Sequence, residues 1–144
     1  MASTEERFSM ALHHTTRLWR QALDRRLKGL GVGQAGWMAI AKIAKSAQAL
    51  SQIELANQLS VEGPTVVSLV DRLVKGGLVE RVPSETDRRV KHVLLTEAGR
   101  ALYAEVRIAA DAYRIEIFAG IDPARLLAAT ELLEELQARV EASL

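Results

Sequence analysis

The sequence of 144 residues contains no cysteine. This absence excludes disulfides, thiolate nucleophiles, thiol redox switches and cysteine-ligated zinc sites. Histidine is also scarce, with three copies at positions 13, 14 and 92. His13 and His14 are adjacent on a predicted helix and diverge by about 100° around it, so they do not converge on one metal ion. We therefore expect no metal site and no cofactor.

Excess charge and long apolar runs are missing as well. The formal net charge is +1 and the pI is about 8.1, so any affinity for nucleic acid must come from local clusters of Lys and Arg. No run approaches the ~18 apolar residues of a membrane span, and no basic segment followed by an apolar one opens the chain. We expect a cytoplasmic protein with no membrane partner, folded as a single domain over residues 1–144.

The sequence lacks the motifs that are typical of catalytic and cofactor-binding sites. There is no glycine-rich phosphate loop, no spaced set of His and carboxylate ligands, and no Ser-His-Asp arrangement on credible elements. We expect no catalytic residue and no enzymatic activity.

What is present is a series of helical patterns. Apolar residues recur at helical spacing from Phe8 to Leu30 and again over 34–45. Ser51 precedes Glu54 by three residues, the capping-box pattern that starts a short helix. A further helix is predicted over 62–75, with Pro64 in its first turn and two glycines after its end. Two short helices joined by a minimal turn indicate a helix-turn-helix.

A small β-hairpin is predicted next, from the β-rich runs 78–82 and 92–95 with a polar tip between them. Beyond it the chain returns to helix over about 98–118 and again from 123 to the end. The fold class is therefore mainly α with a small β-hairpin, a winged helix-turn-helix between terminal helices. The apolar surface left on those helices favours dimerisation.

The second helix of the helix-turn-helix carries one polar stripe. A helical wheel places Val66, Val70, Leu73 and Val74 on one side; Val61, Thr65, Ser68, Arg72 and Lys75 fall on the other. Small hydroxyls near the helix start fit a major groove, and the basic residues fit phosphates. An ordinary amphipathic helix with a solvated face explains the same stripe.

The hairpin tip favours the nucleic-acid interpretation. Asp87, Arg88 and Arg89 lie between two short strands, where arginine is well placed to enter a minor groove or to meet phosphates. Asp87 is expected to hold one guanidinium as a bidentate pair and so aim the other.

Several of these motifs together resemble the MarR family of transcription regulators. The resemblance rests on the order of Asp71-Arg72-Leu73, Gly77-Leu78-Val79-Glu80-Arg81, Asp87-Arg88-Arg89 and Leu95-Thr96-Glu97-Ala98-Gly99. The segments Arg17-Leu18-Trp19-Arg20, Asp24-Arg25-Arg26-Leu27-Lys28 and 51–56 are similar to the SlyA branch in particular.

The resemblance implies a homodimeric repressor of transcription that binds duplex DNA at a pseudo-palindromic operator. It places a DNA-binding lobe at about 34–95 and dimerisation helices at about 5–30 and 98–144. The implied DNA contacts are Pro64, Thr65, Ser68, Arg72, Asp87, Arg88 and Arg89. Ser68 departs from SlyA-like sequences, which commonly have Arg there, so the operator sequence cannot be taken from the family.

The resemblance also implies a ligand that lowers DNA affinity, a small aromatic carboxylate or phenol. Matching positions nominate Arg20 for a carboxylate and Trp37 for ring stacking, with His13 and Arg17 lining the same face of the first helix. Packing explains Trp37 equally, and Ala41 stands where SlyA-like sequences often have a His. Two other functions remain open at this stage: a winged-helix module that binds protein, and a DNA-binding protein without ligand control.

Overall fold

The structure, a computed structural model, describes all residues from 1 to 144. It confirms the expected fold class, with helices at both ends and a small antiparallel sheet between them. The elements are α1 (Thr4–Arg26), α2 (Gly33–Lys45), β1 (Leu50–Ser51), α3 (Gln52–Leu59), α4 (Gly63–Lys75), β2 (Val79–Pro83), β3 (Lys91–Leu95), α5 (Glu97–Ile117) and α6 (Pro123–Ser143). None of these helices combines the length and the hydropathy that a membrane span requires.

The chain groups into two compact units. The first covers residues 1–111 and holds the helix-turn-helix and the sheet; the second covers residues 112–144. In the second unit, the Asp122 carboxylate accepts a hydrogen bond from the backbone N–H of Ala124 and so caps α6. A single domain over the whole chain stays a prediction.

The predicted start of α3 is confirmed in detail. Ser51 Oγ accepts a hydrogen bond from the N–H of Glu54 at 3.1 Å, and Glu54 Oε1 accepts one from the N–H of Ser51 at 3.3 Å. The two bonds satisfy backbone donors that the first turn of a helix leaves without partners. This capping box fixes where the helix-turn-helix begins.

The sheet has one more strand than the sequence predicts. β3 lies in the centre and pairs antiparallel with β2, from Val79 opposite Leu95 to Pro83 opposite Lys91, and with the two-residue β1 on its other side. Leu50 pairs with Val93 in that second ladder. A strand this short carries no detectable alternation, which is why the sequence predicts only a hairpin.

The core of the first unit lies between the helix-turn-helix and the sheet. Its fully buried side chains include Ile40 on α2, Leu55 on α3 and Val93 on β3. α4 contributes Val66, Leu69, Val70 and Leu73, which recur with the 3-1-3 spacing of one helix face. The prediction was wrong for Val74, which is 38% exposed, and it missed Leu69, which is 5% exposed.

The first helix is shorter than predicted at its C-terminal end. α1 ends at Arg26, and residues 28–30 form one turn of 3₁₀ helix rather than its continuation. Gly31 follows with a φ of 72°, a conformation that costs glycine little and a side-chain-bearing residue more.

A tight junction joins α4, the sheet and α5. The N–H of Leu78 donates to the carbonyl of Leu73, and that of Gly77 donates to Val74, the Schellman pattern of a helix end. At the start of α5, Thr96 Oγ1 donates to the carbonyl of Gly77 at 2.6 Å and accepts from the N–H of Gly99 at 3.1 Å. α4 and α5 are therefore bound to the same two-residue link.

Position 99 needs a glycine because the backbone of Leu78 leaves no room for a side chain there. A β-carbon added there lies 2.0 Å from the carbonyl oxygen of Leu78. Although Gly→Ala normally stabilises a helix by about 1 kcal/mol, backbone cannot move aside as a flexible side chain does. We predict that Gly99→Ala lowers the free energy of unfolding by about 1–3 kcal/mol, measured by urea denaturation.

The matched control is Gly29→Ala. A β-carbon at Gly29 meets no atom within 4 Å, so this variant should stay within about 0.5 kcal/mol of wild type. Equal stability of the two variants would contradict the close contact at Gly99.

Candidate nucleic-acid interface

The exposed face of α4 carries the residues that the sequence nominates for DNA. Thr65, Ser68 and Arg72 are all exposed, and their spacing of three and four residues aligns them along one side of the helix. Pro64 is also exposed and lies in the first turn, where its missing N–H costs nothing. The buried side of α4 holds this row facing outward.

The loop that joins β2 to β3, residues 84–90, forms the tip of the wing. The N–H of Ser84 donates to the carbonyl of Val90 at 2.9 Å, and the N–H of Val90 donates to the carbonyl of Asp87 at 3.0 Å. Ser84 Oγ also accepts a hydrogen bond from the N–H of Thr86, so the loop is held by its own backbone and hydroxyls.

Asp87 holds one of the two wing arginines, as the sequence predicts. Arg89 Nε donates to Asp87 Oδ1 at 3.2 Å, Arg89 Nη2 donates to Oδ2 at 3.3 Å, and the N–H of Arg89 also donates to Oδ1. These hydrogen bonds from Arg89 lower the pKa of Asp87 below its ordinary value. The carboxylate therefore stays ionised and paired near neutral pH.

Both guanidiniums remain open to solvent. The Arg89 side chain is 91% exposed despite its pairing, and Arg88 is exposed and makes no side-chain hydrogen bond or ion pair. Long cationic side chains held at a loop tip can meet phosphates or enter a minor groove without first breaking a buried contact.

Arg81 connects the wing to the helix-turn-helix, a role that the sequence analysis did not assign. From β2, its Nε donates to Gln52 Oε1 at 2.7 Å, and its Nη2 donates to Asp71 Oδ1 at 2.6 Å and to the carbonyl of Val67 at 3.3 Å. One guanidinium therefore ties β2 to both α3 and α4. The opposite charges of Asp71 and Arg81 could have suggested this ion pair. The two residues are ten positions apart and lie on different elements, so the sequence pattern alone does not predict that they meet.

Three of the four nominated ligand residues lie together. His13, Arg17 and Arg20 line a cleft of about 540 Å³ along α1, which we call the α1 cleft. Its remaining lining residues are Thr16, Gln21, Asp24 and Gln34. Every residue that lines this cleft has a polar or charged side chain, and one of them is a carboxylate, that of Asp24.

Trp37, the fourth nominated residue, does not line this cleft. Its side chain is 6% exposed, and its Nε1 donates a hydrogen bond to Asp24 Oδ1 at 3.0 Å. The indole therefore packs in the core and reaches the α1 cleft only through the Asp24 carboxylate. Ring stacking by Trp37 on a ligand stays a prediction.

A second cleft, of about 490 Å³, opens beside the exposed face of α4. Arg20 and Gln34 belong to both clefts. We call this second site the α2–α4 cleft; its lining is Arg20, Gln34, Ala35, Met38, Leu59, Val61, Thr65, Ser68, Leu69 and Arg72. It thus brings a nominated ligand residue together with three nominated DNA residues.

Comparison with known proteins agrees with this architecture. A family model described as "MarR family" matches residues 30–90. The solved structure of transcriptional regulator PA3341 is 37% identical, with a TM-score of 0.87, over 94% of this chain and 98% of that one.

More distant structures share the fold alone. CouR from Rhodococcus jostii RHA1, solved bound to p-coumaroyl-CoA, is 23% identical with a TM-score of 0.78, over 94% of this chain and 95% of that one. Apo wild-type MarR from E. coli is 23% identical with a TM-score of 0.77, over 94% and 97%.

The Arg81 contacts generate a stability prediction. Arg81→Met keeps the length of the side chain but removes three hydrogen bonds, so the free energy of unfolding should fall by about 1–2 kcal/mol. Urea denaturation of Arg81→Met, Asp71→Asn and the double variant should give a favourable coupling energy between the two residues.

Arg107→Met is the matched control, since Arg107 is 70% exposed and lies 3.9 Å from Asp111 in an ordinary i,i+4 pair. Its removal should cost at most about 0.5 kcal/mol. A coupling energy of zero between positions 71 and 81 would show that the Asp71–Arg81 contact does not hold in solution.

The Asp87–Arg89 pair generates a pH prediction. The folded pKa of Asp87 is lowered, so the pair is complete above the ordinary carboxyl range and is lost as the pH falls through the lowered value. NMR titration should show Asp87 protonating at lower pH than an unpaired aspartate, and Arg89→Gln should raise its pKa toward the ordinary value. An Asp87 pKa that does not respond to Arg89→Gln would contradict the pairing.

Proposed function

Because this chain belongs to the MarR family, we propose that it is a homodimeric repressor that binds duplex DNA at a pseudo-palindromic operator and releases it when a small aromatic or phenolic ligand binds. The observation that carries the proposal is the row of Thr65, Ser68 and Arg72 along the exposed face of α4, with two exposed arginines at the adjoining wing tip. A helix face of this kind fits the major groove of DNA, and an arginine-bearing loop tip fits the adjacent minor groove or its phosphates.

Each DNA contact follows from its chemistry. Thr65 and Ser68 can donate to and accept from base edges, and Pro64 packs at the helix start against the sugar-phosphate backbone. Arg72, Arg88 and Arg89 neutralise phosphates, while Asp87 orients Arg89 through its bidentate pair.

Dimerisation is supported by the apolar residues that the single chain leaves exposed. On α1 these include Phe8, Leu12 and Leu18, and on α6 they include Leu127 and Val140, which are 58% and 57% exposed. A soluble monomer rarely leaves so many large apolar side chains in water along its helices. Two-fold symmetry then places two α4 helices on half-sites about one DNA turn apart.

Ligand control is supported by the chemistry of the α1 cleft. Arg20 offers a planar fork for a carboxylate, and His13 and Arg17 line the same cleft. The related fold of CouR was solved with p-coumaroyl-CoA bound, an aromatic acyl compound. A coupling of about 1–3 kcal/mol between ligand and DNA suffices to switch occupancy of an operator.

We test the proposal by fluorescence anisotropy with a labelled fragment of the DNA upstream of the gene, at two salt concentrations, with and without salicylate. Wild type should bind tightly and lose affinity with salt. Arg88→Ala/Arg89→Ala should weaken binding and reduce the slope of log K against log [salt] by about 0.9 for each phosphate that the protein no longer neutralises.

Lys42→Ala/Lys45→Ala removes two charges from exposed positions on α2 outside α4 and the wing, and it should leave the slope as in wild type. Binding that ignores both salt and the wing arginines would instead favour a winged-helix module that binds protein. Binding that salicylate and benzoate leave unchanged would indicate a regulator without this ligand control.

A further inference from the structure

The exposed face of α4 carries one acidic side chain, that of Asp71. Each residue of a helix turns by about 100°, so Asp71 lies about 60° from Ser68 and about 20° from Pro64 and shares their face. All three residues are exposed. Under the proposed function, on which this inference rests, a carboxylate at this position faces the phosphates of DNA and repels them.

Asp71 also lies between the two groups of candidate DNA contacts, those of α4 and those of the wing tip. It does not line the α2–α4 cleft. Its Oδ1 instead accepts a hydrogen bond from Arg81 of β2, the strand that leads to the wing tip. DNA that contacts both groups passes over the side of α4 that is turned toward β2. The charge at Asp71 therefore affects the affinity for DNA.

Arg81 neutralises this carboxylate from its protein side. Arg81 Nη2 lies 2.6 Å from Asp71 Oδ1, and the Arg81 side chain is 27% exposed whereas that of Asp71 is 60% exposed. The same guanidinium also donates to Gln52 Oε1 and to the carbonyl of Val67. These partners hold the cation next to the carboxylate and leave little of it free to meet a phosphate.

The Asp87–Arg89 pair at the wing tip has the opposite arrangement. There the arginine is the more exposed partner, so the positive charge faces the solvent. In the Asp71–Arg81 pair the carboxylate is the more exposed partner. The pair at the wing tip presents a cation to a phosphate, whereas the pair on α4 cancels an anion that would repel one.

We propose that Arg81 is a positioning residue of the DNA interface that acts through Asp71. It holds the Asp71 carboxylate in a pair without net charge, so that DNA can approach α4 and the wing tip together. Arg81 itself contacts no phosphate. Removing both charges of the pair then costs little affinity for DNA, whereas removing the cation alone leaves an unpaired anion on the face that DNA approaches.

The experiment measures the Kd for the labelled upstream DNA fragment by anisotropy for wild type, Arg81→Met, Asp71→Asn and the double variant. Arg81→Met should raise this Kd by at least about tenfold, because like charges across an interface are strongly unfavourable. Asp71→Asn should bind at least as tightly as wild type. Arg81→Met in the Asp71→Asn background should change the Kd by less than about threefold.

Two further variants separate charge from stability and from net charge. Arg81→Lys keeps the positive charge but loses the fork that reaches Gln52 and Val67, and it should bind within about threefold of wild type. Lys45→Met removes one cation from an exposed position at the end of α2, outside α4 and the wing, and should bind within about twofold of wild type. Circular dichroism at the assay temperature shows that each variant is folded.

A loss of affinity in Arg81→Met that Asp71→Asn restores supports the inference. An Asp71→Asn variant that itself binds weakly overturns it, because the pair then acts only as a tie between β2 and α4. Equal losses from Arg81→Met in both backgrounds overturn it as well, as does an Arg81→Lys variant as weak as Arg81→Met or an Arg81→Met variant that binds like wild type.

The dependence on salt tests the remaining part of the inference. The double variant should keep the wild-type slope of log K against log [salt]. A slope reduced by about 0.9 overturns the inference, since Arg81 would then neutralise a phosphate itself. Failure of the proposed function is seen separately, because wild type would then show no salt-dependent binding at all.

Discussion

The burial of one face of α4 is the constraint on which the other features depend. Val66, Leu69, Val70 and Leu73 are held against α2, α3 and the sheet, which leaves one orientation of the helix about its own axis. That orientation turns Thr65, Ser68 and Arg72 outward. A polar substitution on the buried side would therefore disturb the exposed face of α4 without replacing any residue of that face.

The contacts around α4 also tie the wing to the helix-turn-helix. Arg81 joins β2 to α3 and α4 by three hydrogen bonds. The Schellman end of α4 leads into β2 through the three residues 76–78. Thr96 and Gly99 hold the start of α5 against Gly77 and Leu78. Polar side chains with backbone partners, rather than apolar area alone, thus set the geometry of the candidate interface.

The sequence predicted most elements because their signals are local. The Ser51–Glu54 capping box, Pro64 at a helix start and the hairpin pattern all act within a few residues, and all appear in the structure. What it missed depends on tertiary contacts: the pairing of β1 with β3, the reach of Arg81 to Asp71, and the Trp37–Asp24 hydrogen bond that places the indole in the core. The α2–α4 cleft was invisible for the same reason, since its lining comes from four helices.

The five-residue ladder between β2 and β3 also fixes how far the wing tip extends from the helix-turn-helix. Strands advance about 3.3 Å per residue, so the five residues of β2 carry the loop 84–90 about 17 Å beyond Leu78, the residue that precedes the strand. Deleting one residue from each strand would turn every side chain of the wing to the opposite face of the sheet. Deleting two would keep the faces and shorten the reach by about 7 Å, the length of roughly two base pairs. Under the proposed function, the length of this hairpin sets the distance along an operator between the segment that α4 contacts and the segment that the wing contacts.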